Sequence, residues 1–309
     1  MEGEAPEVMT LDPPEVEEIP PIEKPSINSL VEVSRGCGRG CSFCDPALKE
    51  RRDVPFDRIA EEWNAVKEKR DYIWLHTDDF LLYGCDSEEF YPNGEEILEL
   101  VGKLKNLEGL KSIGTTHFSL SAVAADPELI SELSSKMKKN PEDELGVQPG
   151  IETGSPSLLK RWMPNKPKPF SPEEWPEVVE KGISILNDNN WYPACTLMVG
   201  LPEETEEDVE ETVRLVERLD QYDCVLAPLF FTPTGAMDEE EQFTAQDLSR
   251  KQFELVRKCW RHNLELFSSN VWRALSSENF LVRMISSILV KLGAKGILHF
   301  LERWEEKNF

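Results

Sequence analysis

Short apolar segments alternate with amphipathic ones along most of this chain, between residues 29 and 235. Runs of β-branched, aromatic and aliphatic residues predict six strands. These lie at residues 30–33, 72–75, 112–120, 147–152, 194–199 and 224–231. Helical patterns lie between them, and each crossover helix returns the chain to the same end of the sheet. The alternation therefore predicts an α/β fold with a parallel sheet, and about six such units suit a partial (β/α)6 TIM-like barrel.

The two ends of the chain have a different composition. Residues 1–28 are rich in Glu and Pro and are predicted to form an acidic, Pro-rich linker or arm. Residues 236–309 are predicted to form a C-terminal helical extension. In that extension Thr244 is expected to cap a long helix that has Phe253 and Phe267 on one face.

The formal net charge of the chain is -25. Nucleic acids are polyanions and their readers usually present a basic face, so we expect no nucleic-acid partner. A solvated acidic surface, such as that of a salt-adapted protein, explains the same charge. The acidic N-terminus has no signal-peptide pattern and the seven cysteines are odd in number, which predicts a cytoplasmic protein. The apolar stretch 284–301 is interrupted by Lys and Gly, so no membrane span is predicted.

Three cysteines lie on a glycine-rich loop directly after the first predicted strand. Cys37, Cys41 and Cys44 are separated by three and then two residues. Thiolates are the soft ligands that iron–sulfur clusters need, and three of them leave one iron of a 4Fe–4S cluster open to a small molecule. A zinc knuckle would need a fourth ligand. An electron carrier of the ferredoxin type would not need the surrounding barrel. The other four cysteines are predicted to be packing residues.

The CxxxCxxC spacing, with the aromatic Phe43 before the third cysteine, resembles the radical S-adenosylmethionine (radical SAM) superfamily. The resemblance implies a partial (β/α)6 barrel and a 4Fe–4S cluster bound by Cys37, Cys41 and Cys44. It also implies that SAM chelates the open iron through its amino and carboxylate groups. Reductive cleavage would then give methionine and a 5'-deoxyadenosyl radical that abstracts hydrogen from the substrate. A reductant such as ferredoxin or flavodoxin is an implied partner.

The resemblance also implies residues that bind SAM, each after a predicted strand. Asp79 aligns with the acid that receives the SAM ammonium group in the family, and Asp78 is the alternative. Glu152 lies in the segment Gly-Ile-Glu-Thr-Gly-Ser, which is similar to a family segment near the SAM ribose or methionine end. Lys160, Arg161 and Lys166 follow the same strand, and one of these basic residues, with Lys166 as the candidate, is expected to pair with the SAM carboxylate.

A further segment after the fifth predicted strand, Gly-Leu-Pro-Glu-Glu-Thr, resembles the family's Gly-Leu-Pro-Gly-Glu-Thr. The resemblance implies that Gly200 and Leu201 hold the adenine ring. Glu203 replaces the second glycine of the family pattern. A strand-to-helix turn with a cap at Thr205 is a second interpretation of the same residues, and both can be true together.

The amino-acid sequences of several segments resemble those of radical SAM proteins with an N-terminal cobalamin-binding domain. That domain and its DxHxxG motif do not occur in this sequence. Three explanations stay open, namely a separate cobalamin-binding subunit, loss of the domain, or a sequence that is a fragment. Cobalamin from a partner chain is accordingly one implied cofactor.

Several functions are compatible with these features. The first is a radical SAM enzyme that modifies a small-molecule or peptide substrate, with methylation as one outcome. The alternative is a cluster-bearing, non-catalytic or electron-transfer subunit of a larger complex. A role like that of the tRNA methylthiotransferases would be expected to bring a further N-terminal cluster domain and a C-terminal RNA-binding barrel, and neither pattern occurs.

Overall fold

A computed structural model describes residues 14–24, 29–45, 50–274 and 280–309. The strands within these ranges are β1 (Leu30–Glu32), β2 (Ser34–Arg35), β3 (Arg52–Asp53), β4 (Tyr72–His76), β5 (Ser112–Thr115), β6 (Leu145–Val147), β7 (Gly150–Glu152), β8 (Trp191–Val199) and β9 (Val225–Phe230). The helices are α1 (Phe56–Val66), α2 (Gly94–Lys105), α3 (Leu120–Ala125), α4 (Pro127–Met137), α5 (Pro156–Trp162), α6 (Trp175–Asp188), α7 (Glu206–Leu219), α8 (Arg250–Ala274) and α9 (Phe280–Asn308).

The principal strands are all parallel. One sheet has the order β1-β4-β5, and in the other β8 pairs with β6, β7 and β9. Between them, the Gln148 amide donates a 2.8 Å hydrogen bond to the Thr116 carbonyl. Among the described strands, β1 and β9 each pair with one neighbour. The predicted α/β fold with a partial, open barrel is therefore confirmed.

Two strand predictions differ from the structure. The third strand ends at Thr115, and the predicted remainder turns into α3, which begins at Leu120. The small residues of α3 suit a helix better than a pleated strand. The fourth strand is split into β6 and β7, because Pro149 between them has no N–H to donate to the ladder. The Pro149 carbonyl still accepts from the Thr196 amide at 3.1 Å.

Side chains cap the starts of α4, of α7 and of the turn that leads into α6. Asp126 caps α4 and Thr205 caps α7 through side-chain oxygens that accept backbone N–H groups. The capping box at Ser171 opens a short 3-10 turn that leads into α6. The prediction for Thr244 is wrong. Its hydroxyl bonds Asp247 at 2.6 Å in a separate turn, and α8 follows a reciprocal pair between Ser249 and Gln252 instead.

The C-terminal residues form two long helices. Phe253 of α8 is buried and stacks on Trp304 of α9 with ring centroids 4.7 Å apart. Phe267 of the same helix is 47% exposed. Many apolar side chains of α9 are also exposed. Within the described residues, no helix combines the length and apolar character needed to cross a bilayer. The boundary at residue 236 stays a prediction.

Part of the predicted N-terminal arm contacts the barrel. Residues 14–24 include a 3-10 turn at Val16–Glu18. The Ile22 amide donates to Glu62 Oε1 at 3.1 Å, and Arg52 Nη1 donates to the Pro14 carbonyl at 2.7 Å. The rest of the predicted arm, residues 1–13 and 25–28, lies outside the described residues.

Candidate functional site

A cavity of about 260 Å³ lies where the cysteine loop meets the carboxyl ends of the central strands. We call it the cysteine cavity. Its lining combines the three predicted cluster ligands with acidic, basic and aromatic side chains. The lining residues are Cys37, Arg39, Cys41, Phe43, Cys44, Asp78, Asp79, His117, Phe118, Ser119, Gln148, Gly150, Glu152, Lys166, Trp175 and Thr196. Parallel α/β folds place their sites at this end of the strands.

The cysteine loop has a backbone that depends on its glycines. Gly36, Gly38 and Gly40 have φ values of 76°, 78° and 69°, in the left-handed region that favours glycine. The loop is anchored by the Ser42 amide, which donates to the Trp162 carbonyl at 2.8 Å. Sequence and backbone therefore agree on why three of the residues beside the cysteines are glycine.

The three thiols differ in their electrostatic surroundings. A hydrogen bond from Cys44 and the charge of Lys166 lower the pKa of Cys41 to about 7, against the effect of burial. The same hydrogen bond raises the pKa of Cys44, and burial raises the pKa of Cys37. Thiolates are the form that binds iron. The hydrogen bond and the Lys166 charge therefore favour a thiolate at the Cys41–Cys44 pair.

The donor set fits an iron–sulfur cluster with an attached small molecule. Three thiols line one cavity, and thiolates are the soft donor set of such clusters. Within the described ranges, no three His, Cys, Asp or Glu side chains form a group that could hold a single metal ion. Phe43 lies in the cavity wall, where the sequence predicts it.

Asp78 and Asp79 both reach the cavity from the end of β4, and they have different roles. Asp78 Oδ2 accepts the Gly36 amide at 2.6 Å and so fixes the start of the cysteine loop. Asp79 is 3% exposed, and its Oδ1 accepts the amides of Leu81 and Ser119. Asp79 Oδ2 is buried without a hydrogen-bond partner. A buried carboxylate oxygen needs a donor, so Asp79 is suited to receive a cationic group of a ligand.

Glu152 ends β7 with a strained backbone. Its φ is +64°, which is uncommon for a residue with a side chain. The conformation turns the carboxylate into the cavity, where Thr196 Oγ1 donates to it at 3.3 and 3.4 Å. A Cβ on Gly150 would overlap Glu152 Oε1. Gly150 is therefore required for Glu152 to take this position.

Of the described basic residues Lys160, Arg161 and Lys166 near α5, only Lys166 lines the cysteine cavity. Its Nζ lies 3.3 Å from Glu152 Oε1. Burial acts to lower the pKa of Lys166, but the charges of Glu152 and Cys41 raise it above its ordinary value. Lys160 and Arg161 instead pair with Glu173 and Glu203 at the surface.

Gly200 and Leu201 are not among the lining residues of the cysteine cavity. Leu201 is buried, and the Gly200 amide donates to Glu204 Oε2 at 3.1 Å. A Cβ on Gly200, whose φ is +82°, would overlap the ring of Phe243. Glu204 also accepts from Gln252 Nε2 at 2.6 Å, and burial raises its pKa to about 7. The contact of Gly200 and Leu201 with adenine stays a prediction.

Several lining residues were not predicted from the sequence. Arg39 is buried between the first two cysteines, and its place within the motif was the available signal. His117 Nδ1 lies 2.9 Å from the Thr77 carbonyl, which leaves Nε2 as the acceptor nitrogen of the neutral ring. Trp175 donates to the Thr153 carbonyl, with Lys166 Nζ 6.0 Å from its ring centroid. No local pattern marks His117 or Trp175.

Two curated proteins share about a quarter of their aligned residues with this chain over about three quarters of its length. A tRNA-2-methylthio-N(6)-dimethylallyladenosine synthase from Clostridium botulinum is 27% identical over 243 residues, 77% of this chain and 50% of that protein. A ribosomal protein uS12 methylthiotransferase RimO from Thermotoga sp. is 29% identical over 238 residues, 74% of this chain and 50% of that protein. The chain thus spans about half the length of these curated relatives.

Among solved structures, TsrM from Kitasatospora setae is described as a radical SAM methyltransferase with cobalamin and a 4Fe–4S cluster bound. It matches 68% of this chain and 38% of that chain, with a TM-score of 0.49 and 16% identity. The sequence profile of the radical SAM superfamily matches residues 31–216. That match covers more than half of the chain and includes the cysteine loop and the strand ends around the cavity. Members of this family are enzymes that use a 4Fe–4S cluster and SAM, and this chain belongs to the radical SAM superfamily.

Proposed function

We propose that this protein is a radical SAM enzyme that cleaves SAM reductively in the cysteine cavity and uses the product radical to modify a substrate. One observation carries the proposal. Three thiols share a cavity with a buried carboxylate oxygen of Asp79 that accepts no hydrogen bond, and with the ammonium of Lys166. These are the complements of an iron–sulfur cluster and of the two charged ends of an amino acid.

Cys37, Cys41 and Cys44 would hold a 4Fe–4S cluster. When bound, it supplies one electron to SAM, whose cleavage gives methionine and a 5'-deoxyadenosyl radical that takes a hydrogen atom from the substrate. Asp78 holds the cysteine loop through the Gly36 amide. Phe43 forms part of the apolar wall that excludes water.

Charge complementarity assigns the ends of SAM. Asp79 Oδ2 would accept the ammonium group, because it is buried and has no other hydrogen-bond donor. Lys166 would bind the carboxylate, and Glu152 would turn toward the ribose hydroxyls or the methionine end. Gly200 and Leu201 would contact adenine only if the ligand extends beyond the cavity described above. A pocket for a ligand of this size is usually about 300–1,000 Å³, slightly more than the 260 Å³ seen here.

The cavity wall bears on the class of substrate. The aromatic and uncharged polar wall of Phe118, Trp175, His117 and Gln148 suits a small molecule or a peptide side chain. Methylation, with cobalamin from a partner subunit, is the first candidate outcome. The curated relatives favour methylthiolation as a second candidate outcome, because both are methylthiotransferases. One of them acts on tRNA and the other on a ribosomal protein. The net charge of -25 favours the protein or small molecule over RNA.

The test is anaerobic reconstitution with iron and sulfide, followed by SAM and dithionite. We expect a 4Fe–4S absorbance and formation of 5'-deoxyadenosine. Cys41→Ala should lose both together, whereas Cys85→Ala, a buried cysteine outside the cavity, should retain both. Unchanged iron content in Cys41→Ala would contradict the ligand assignment.

The same experiment separates catalysis from electron transfer. A protein that assembles the cluster and is reduced, yet forms no 5'-deoxyadenosine with SAM, would be the cluster-bearing subunit of the alternative hypothesis. Replacing dithionite with reduced ferredoxin or flavodoxin then identifies the class of protein reductant by the rate of 5'-deoxyadenosine formation.

A further inference from the structure

Arg39 lies between the first two cysteines, and its side chain points into the protein rather than to solvent. It is 3% exposed. Its Nη1 lies 2.8, 3.1 and 3.0 Å from the carbonyl oxygens of Asn165, Lys166 and Lys168. One guanidinium nitrogen therefore contacts three carbonyls of a single turn, which we call the lysine turn (residues 165–168) because it carries Lys166.

The other side of the guanidinium faces the strand ends. Arg39 Nη2 donates to Ser119 Oγ at 3.1 Å. It also lies 3.8 Å from Asp79 Oδ2, near enough for charge attraction but too far for a hydrogen bond. The Phe90 ring covers the guanidinium, with 4.8 Å between Arg39 Cζ and the ring centroid. A single side chain thus touches segments that follow β4, β5 and α5.

The attachment of the lysine turn is reciprocal. Asn165 Nδ2 donates to the Arg39 carbonyl at 3.1 Å, so the side chain of each residue bonds the backbone of the other segment. Ser121 Oγ adds a 3.2 Å hydrogen bond to the Lys166 carbonyl. The position of the Lys166 backbone is therefore set by contacts to the cysteine loop and to α3.

We propose that Arg39 is a positioning residue that fixes Lys166 and Asp79 relative to the cysteine loop. The inference rests on the proposed function, in which these two side chains hold the carboxylate and the ammonium of SAM. Arg39 leaves both groups free to bind a ligand, since it bonds the backbone of Lys166 and leaves Asp79 Oδ2 without a hydrogen bond. It would set the geometry of SAM binding through the positions of these two residues.

An arginine suits this place better than a lysine. The guanidinium is planar with donors in a fixed fork, so Nη2 can donate to Ser119 while the two N–H groups of Nη1 are shared among three carbonyls. The ammonium group of lysine is a point charge that cannot reach Ser119 and the carbonyls of the lysine turn at the same time. Arg39→Lys is therefore expected to preserve the charge and lose part of the geometry.

The test compares Arg39→Gln, Arg39→Lys and Asn165→Ala with wild type after anaerobic reconstitution. Three quantities are measured: iron per chain, the dissociation constant for SAM by equilibrium dialysis, and the change in the EPR spectrum of the reduced cluster on adding SAM. We expect iron content to stay near wild type and the SAM dissociation constant to rise about 10–100-fold in Arg39→Gln. Arg39→Lys and Asn165→Ala should give smaller increases, in the same direction.

Arg161→Gln is the matched control, because Arg161 lies close to the same turn but pairs with Glu203 at the surface. It should bind SAM like wild type. Hydrogen exchange of the peptide covering residues 163–170, measured without cluster or SAM, should be faster in Arg39→Gln than in the control. This readout does not depend on catalysis.

The outcomes discriminate between the two proposals. If wild type loads its cluster but neither binds nor cleaves SAM, the proposed function fails. If wild type is active and Arg39→Gln binds SAM with wild-type affinity, the positioning role fails. A loss of SAM binding only in proportion to lost iron would also overturn it, because Arg39 would then act merely on the fold of the cysteine loop. Should Arg39→Gln not fold, Arg39→Lys and Asn165→Ala decide the question by the same criteria.

Discussion

Lys166 Nζ lies 3.3 Å from Glu152 Oε1, and the two side chains are 15% and 13% exposed. The pair joins the turn after α5 to the end of β7 across the wall of the cysteine cavity. Neither charge is surrounded by enough water to stand alone, so removing one partner leaves the other nearly buried without compensation. The pair is therefore a structural link, and it also holds the Lys166 ammonium that is proposed to receive the SAM carboxylate.

Removal of the Lys166 charge should show this double role. We expect Lys166→Met to weaken SAM binding by at least about tenfold and to lower the free energy of unfolding by about 3 kcal/mol, as for other broken buried pairs. Lys160→Met, which breaks an exposed pair with Glu173, should cost less than about 1 kcal/mol. Urea unfolding of the cluster-free protein and equilibrium dialysis with SAM measure the two effects. Equal values for both variants would contradict the importance of the pair.

Gly150 should tolerate no side chain. A methyl group there would overlap Glu152 Oε1 and approach Lys166 Nζ to 3.0 Å, so Gly150→Ala should displace the carboxylate and weaken SAM binding. Gly146→Ala on the neighbouring strand β6 is the control, because a Cβ at Gly146 meets no atom within 4 Å. Dissociation constants for SAM, at matched iron content, test the difference. Wild-type affinity in Gly150→Ala would exclude a role for the Glu152 position.

Gly235 should be needed to retain the cluster. Its φ is +62°, and a Cβ there would overlap the Cys44 carbonyl oxygen. The neighbouring Thr234 hydroxyl donates to the Phe43 carbonyl, so this segment supports the cysteine loop. Gly235→Ala should lower iron content per chain and speed cluster loss to a chelator. Gly109→Ala imposes a similar backbone strain, at φ +82°, without any atom within 4 Å, and should keep its iron.

Glu204 should make stability depend on pH near neutrality. Burial raises its pKa to about 7, so the folded protein retains a proton that the unfolded chain releases near pH 4.5. Stability is therefore highest below pH 4.5 with respect to this group and falls as the pH rises to 7, by up to about 3 kcal/mol. Glu204→Gln should remove that fall.

The measurement is the free energy of unfolding in urea at several pH values between 5 and 8, for wild type and Glu204→Gln. The exposed neighbour provides the control, because Glu203→Gln removes an equal charge at the surface. A stability difference between wild type and Glu204→Gln that is constant across this range would show that Glu204 is ionised throughout.

The approximate strand positions and the cysteine loop were predictable because they depend on local signals. Alternating apolar segments gave the six strand positions, and the spacing of Cys37, Cys41 and Cys44 gave the loop. Predictions failed where the same local sequence pattern is compatible with two different structures. Residues 116–120 look extended, yet the Ala-rich segment after Ser119 forms α3, and Thr244 has capping chemistry but bonds Asp247 in a turn of its own.

The side chains around the cavity were less predictable. Asp79 and Lys166 were predicted because they follow strands or match a family pattern, and both reach the cavity. Nothing local shows that Arg39, rather than an adjacent loop residue, points inward, because its partners at residues 165–168 are more than 120 positions away. Long-range hydrogen bonds of this kind become visible only in three dimensions.

The left-handed backbone of Glu152 has a consequence for how this protein could evolve. A φ of +64° destabilises the fold by roughly 1–2 kcal/mol for a residue with a side chain, whereas glycine adopts this conformation without that cost. Glu152→Gly would recover this energy and delete the carboxylate that faces Lys166. Local backbone preference and ligand recognition therefore oppose one another at a single position. Because Glu152→Gly would also leave the Lys166 ammonium nearly buried without its partner, at a cost of about 3 kcal/mol, even a laboratory selection for heat resistance alone should retain Glu152.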